Sequence, residues 1–132
     1  MTMTVSLKEY VELKETLKEA EDFKGFGNQN PSKCYDISYK FMSQMGIKGW
    51  KLVHAIIQRK DGSKFGHAWC EKGLAAFAAT AGVAMDKESL YQLQGKVLYK
   101  VEYSFEEFIK ESLDKEHSGP WDSKIDKDEY HN

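Results

Sequence analysis

Behind Ser6, apolar residues fall at Leu7, Tyr10, Leu13 and Leu17, spaced by three and four, and predict a capped helix running to about Ala20. A loop dense in glycine and asparagine follows, DFKGFGNQNPS. Pro31 and Ser32 are helix-start signals, and a second helix is expected over Lys33 to Met45, with Tyr35, Tyr39, Met42 and Met45 on its buried face and Gly46 as its stop. The pattern then changes period. Trp50 to Arg59 reads as a strand, Asp61-Gly62 as a tight hairpin turn, Phe65 to Glu71 as the returning strand, Lys72-Gly73 as another turn and Leu74 to Ala79 as a third strand. Asp86 caps a short helix through about Leu93. Lys96 to Tyr103 alternates Val97, Tyr99, Val101 and Tyr103 as a further strand, and Ser104 with Glu107 forms a capping box for a helix to about Leu113.

This order of elements predicts a small α+β fold, with helices packed on an antiparallel sheet of about four strands. Residues 1–121 are expected to form one domain and residues 122–132 a polar, disordered tail, with Trp121 of the SGPWD segment packing the C-terminal end onto the body. The 132 residues suffice for a core without staples, and 41% hydrophobic with 30% charged residues is ordinary globular composition.

Charge narrows the partners. The formal net charge is −2 and Arg59 is the single arginine, so nucleic acid is not expected as a partner. No stretch approaches a membrane span, and the start MTMTVSLKEY lacks the form of a secretory signal; a cytoplasmic location with Cys34 and Cys70 reduced is the expectation. The four histidines and two cysteines lack metal-ligand spacing, and no metal or cofactor is implied.

The chemistry-bearing candidates are Cys34 and His67. A thiolate is favoured at a helix N-terminus, near a histidine and with partial exposure, and Cys34 falls in the first turn of the second helix. His67 sits in GHAWCE on the strand after the hairpin, a rigid mount for a general base. Gln29, in the loop feeding the helix, is placed either to aim a side-chain amide at an oxyanion or simply in solvent. His54 on the neighbouring strand is either structural or a wall of the same cleft. His67, Trp69 and Glu71 share a strand face, with Trp69 either cleft wall or core, and Cys70 reads as core. His117 and His131 are expected to be exposed.

A cysteine on a helix followed by a strand with His in HAW-x-E resembles the papain-like/transglutaminase-like superfamily, in particular its small bacterial and phage members. The segments carrying the likeness are KCYDISYK, LVHAIIQ, GHAWCE and AAFAATAG, from about Gln29 to Gly82. The resemblance implies a cysteine-dependent amide hydrolase or acyl transferase acting on a peptide or protein through a Cys34 thioester. His67 would be base and acid, and Gln29 a possible oxyanion donor. The oligomeric state stays open. One position departs from the pattern: the acid that should orient His67 falls at Ala78. Loss of such an orienter costs on the order of 10⁴-fold in a serine triad. Three readings are open there. The domain is a catalytically inactive relative that binds a peptide or protein; another acceptor such as Glu71, Asp86 or Asp36 substitutes; or the alanine replaces an original acid.

Overall fold

The computed structural model describes residues 6–23 and 33–127. Gln29, Pro31, Ser32 and His131 lie outside the described residues. The elements run α1 (Leu7–Ala20), α2 (Cys34–Met45), β1 (Lys51–Gln58), β2 (Lys64–Lys72), β3 (Ala75–Ala78), β4 (Val83–Asp86), α3 (Lys87–Gln94), β5 (Lys96–Tyr103), α4 (Phe105–Lys115) and α5 (Ser123–Lys127). The fold is α+β. Its five strands lie in the order β4-β3-β2-β1-β5, and every neighbouring pair is antiparallel.

The local signals account for most of the boundaries. Ser6 and Ser104 each complete a capping box, with Glu9 and Glu107, satisfying orphan N–H groups of α1 and α4. Asp86 accepts from the Ser89 N–H at the start of α3. In the β1–β2 hairpin, Asp61 Oδ1 accepts from the Ser63 N–H at 2.9 Å, and Gly62 takes a left-handed φ of 91°. The chain departs from expectation after α2. The α-helix ends at Met45 with Gly46 as its C-cap, as expected, but Gly46 stays right-handed and a 3₁₀ turn over Gly46–Lys48 runs on to Gly49, which is left-handed. Gly46 is needed for space, because a Cβ there would collide with the Phe105 ring.

The sheet has a core on each face. On one face, Leu52, Ala68, Cys70, Ala75, Phe77 and Tyr103 pack with α2, with Leu13 and Leu17 of α1, and with Phe105 and Phe108 of α4. On the other face, Val53, Ala55, Ile57, Phe65, Trp69, Ala76 and Ala78 pack with Leu90 and Tyr91 of α3, which crosses from β4 to β5. Burial on both faces explains the near-continuous apolar runs of β1 and β2, which have no clean alternation.

Four expectations are corrected. The sheet has five strands, the fifth being the short edge strand β4, which pairs Val83 with Ala78. Leu7 and Tyr10 are exposed, because α1 meets the sheet at β3 and β4 with its C-terminal half. The buried stripe of α2 is Cys34, Ile37, Ser38, Phe41, Met42 and Met45; Tyr35 and Tyr39 are only partly buried at its border. The segment after Asp122 is not wholly an extended tail: Ser123–Lys127 is a helical turn, and Ile125 is completely buried against the Gly66 side of β2. Residues 128–132 lie outside the described residues. Among the described residues no helix is long and apolar enough to cross a membrane.

Candidate functional site

Cys34 is the first residue of α2, as its sequence context predicts. It is also the first residue of that helix's buried stripe, and the residue is 1% exposed. Its sulfur accepts hydrogen bonds from backbone N–H groups of Ala68, Tyr35 and Cys34 itself, which favour a thiolate. Burial outweighs them and pushes the thiol up to about 12, with Asp36 adding to the rise. Cys70 is wholly buried on the same face; it donates weakly to the Ser38 carbonyl at 3.6 Å, and burial also raises its thiol. Both thiols are free.

His67 lies on the opposite face. Its ring packs against Phe65 at 5.5 Å and Trp69 at 5.8 Å between centroids, within the core covered by α3. It is 8% exposed, and burial, aided by Arg59, lowers it to about 4. The Nδ1 atom is buried without a hydrogen-bond partner. The structure therefore brings the Cys34 sulfur to the backbone of the residue next to His67, but no hydrogen bond joins thiol and imidazole. The expected meeting of the two across an open groove is corrected on two grounds. The sulfur belongs to a sealed apolar stripe, and side chains at 67 and 68 point to opposite faces of a strand.

The acids considered as substitutes for a carboxylate at 78 are all engaged elsewhere. Glu71 is fully buried and accepts from Trp69 Nε1 at 2.7 Å and from the Tyr91 hydroxyl, with Lys87 Nζ 3.6 Å away. Asp86 caps α3. Asp36 accepts from the Ser118 hydroxyl. Ala78 itself lies on the same face as Phe65 and Trp69, one strand over from His67. Sequence reasoning placed His67, Trp69 and Glu71 on one face correctly but missed that Glu71 ties β2 to α3. A carboxylate two residues beyond an indole on one strand face was the available signal.

His54 is the imidazole that shares Cys34's side of the sheet. It pairs in register with Ala68 and packs against the Tyr35, Tyr103 and Trp121 rings at 4.9, 5.2 and 5.2 Å. It is structural rather than a cleft wall: it is completely buried, with neither ring nitrogen hydrogen-bonded. His117 is exposed, as expected. Its carbonyl accepts from Trp121 Nε1 at 2.8 Å, and Trp121 packs the C-terminal segment down as predicted.

Surface concavities lie elsewhere. A groove of about 660 Å³ runs between α1 and the β2–β3 turn, lined by Glu9, Glu12, Leu13, Glu19, Lys72 and Leu74 among others. A second of about 660 Å³ lies between α1 and β4. Neither Cys34 nor His67 lines either groove. Among the described residues, no group of three His, Cys, Asp or Glu side chains is gathered to hold a metal. Comparison with known proteins finds no matching family model, curated protein or solved structure.

Proposed function

We propose that this chain is a papain/transglutaminase-like domain in which thiol catalysis has lapsed, and which serves to bind a peptide or protein. The observation that carries this reading is His67 Nδ1, buried without an acceptor on the face that also holds Ala78. A general base in such an enzyme needs that nitrogen bonded, to fix its tautomer and support the imidazolium. Here the ring is held neutral by burial, and the thiol is held neutral on the other face. Two features support binding. The groove between α1 and the β2–β3 turn has the volume of a ligand site, and Leu7, Tyr10 and Val11 stand exposed on the outer turns of α1.

A second reading, residual acyl transfer through Cys34, is favoured by one observation: backbone N–H groups of Ala68 on β2 and of Tyr35 and Cys34 at the start of α2 act to lower the thiol against the effect of burial. Labelling of the folded protein with a thiol electrophile near neutral pH separates the two. Lapsed catalysis predicts that Cys34 and Cys70 both react far more slowly than in the unfolded chain. Selective labelling of Cys34 that disappears in His67→Ala would establish the enzyme reading instead. Panning a peptide library on the folded protein and on Leu74→Glu tests the binding half, since enrichment unaffected by the change removes that groove as the site.

A further inference from the structure

His54 sits in an aromatic box whose outer wall is the C-terminal strap, residues 117–125. Tyr35, Tyr103 and Trp121 surround the ring, and the Gly119 backbone lies directly on it: a Cβ at Gly119 would come within 2.6 Å of His54 Cε1 and 3.1 Å of Nε2. The strap is pinned at three points. Ser118 donates to Asp36 on α2, Tyr99 on β5 donates to Asp122 at 2.9 Å, and Ile125 is inserted against Gly66. Yet the closed arrangement leaves His54 Nδ1, His54 Nε2 and the Tyr35 hydroxyl buried without partners. No group in the box hydrogen-bonds either ring nitrogen, so the closed form disfavours a charged imidazolium.

We propose that residues 117–125 form an acid-released strap: protonation of His54 once the strap lifts holds it open and uncovers Trp121. The inference does not depend on the reading of Cys34 and His67.

The surroundings of His54 bear on the sign. From α2 come Tyr35, Cys34 and, through Ser118, Asp36. β2 presents Gly66 and Ala68, which carry no charge. β5 presents Tyr99 and Tyr103, the latter also feeling Glu107 and Glu111 of α4. The strap and the helical turn after it bring His117, Asp122 and Asp126. Burial dominates and lowers His54 to about 3; Asp122 acts against this, and His117 adds to it. Asp122 is already committed, to the Tyr99 hydroxyl and to the Lys124 and Ile125 N–H groups. A freed imidazole titrates near its usual value of about 6.5. With the closed-state value depressed, the strap's hold is complete above about pH 6.5 and weakens as pH falls toward the closed value. The opening constant should rise roughly 30-fold between pH 7.5 and 5.

Amide hydrogen exchange of the full chain, corrected for intrinsic rates at each pH, reads this directly. Protection of amides in 121–125 should lie below that of β1 and β2 and fall roughly 30-fold between pH 7.5 and 5, less steeply than the strands, whose opening frees His67 as well, and His54→Phe should flatten the dependence. Strap protection that stays constant, that equals the strands' at every pH, or that keeps its pH dependence in a folded His54→Phe variant would overturn the proposal. If the variant does not fold, the wild-type His54 ring resonance decides. A ring titrating near its ordinary value while the strap stays protected is incompatible with the strap; a ring that stays neutral until the strap amides exchange supports it.

Discussion

Cys34 and His67 belong to different packing clusters, one on each face of the sheet, although the thiol takes a hydrogen bond from the residue next to the histidine. Proximity along β2 has not produced a pair. The ionisation of Cys34 should therefore be independent of His67. Thiolate absorbance in the ultraviolet should emerge only well above the ordinary thiol range, and at the same pH in wild type and in His67→Ala. An earlier onset in wild type that the substitution abolishes would mean that the two groups do communicate.

Placing an acid at position 78 gives a second test. In Ala78→Asp the new carboxylate enters the face occupied by Phe65, His67 and Trp69, where Nδ1 lacks an acceptor. Its burial should cost roughly 1–3 kcal/mol, partly offset if the hydrogen bond to His67 forms. With that bond, the His67 titration seen by NMR should move up from about 4. An unmoved titration in a folded variant means that position 78 does not reach the ring.

The buried His67 also sets an acid limit on global stability. Its folded value is lowered to about 4 and the unfolded chain titrates near 6.5. The unfolded state therefore binds the extra proton, and stability falls as pH drops through this window, by up to about 3 kcal/mol. Denaturant melts at pH 7.5 and 4.5 should differ by more in wild type than in His67→Phe, whose ring can lie between Phe65 and Trp69 without titrating.

Glu71 is the polar tie between β2 and α3. Glu71→Ala leaves the Trp69 indole N–H and the Tyr91 hydroxyl without their acceptor and should cost about 3 kcal/mol by equilibrium unfolding. Glu71→Gln keeps one acceptor oxygen and should cost less. Equal losses would show that the charge beside Lys87, rather than the hydrogen bonds, is what matters.

Ile125 tests whether the last helical turn belongs to the folded body. A completely buried isoleucine predicts that Ile125→Ala destabilises by about 2–4 kcal/mol. A change within ±0.5 kcal/mol would return the segment to the status of a tail.

Much of the architecture was legible because it is local. Capping boxes at Ser6 and Ser104, the Asp61-Gly62 turn and the alternation from Lys96 to Tyr103 each specify an element from a few neighbouring residues. β4 was missed because VAMD offers a single β-branched residue and runs straight into the Asp86 cap of α3. The site was legible in order but not in depth. Cys34, Ile37, Phe41 and Met45 recur at spacings of three and four, a stripe that buries the thiol, but the tyrosines at 35 and 39 drew attention to the adjacent face. The alternation of β2 likewise separates His67 from Ala68, but which face α2 would cover depends on long-range packing. Ile125 was hidden in a charged segment, where a single apolar residue carries no pattern.

The placement of β5 has a cost during synthesis. β1, with the sequence KLVHAIIQ, gains its second neighbour only from a strand made long after it, once the meander and α3 have emerged. Until then one flank of a strongly apolar strand is an open template for other chains. Fragments ending before Lys96 should therefore aggregate, and the native sheet should close only after the ribosome has delivered β5.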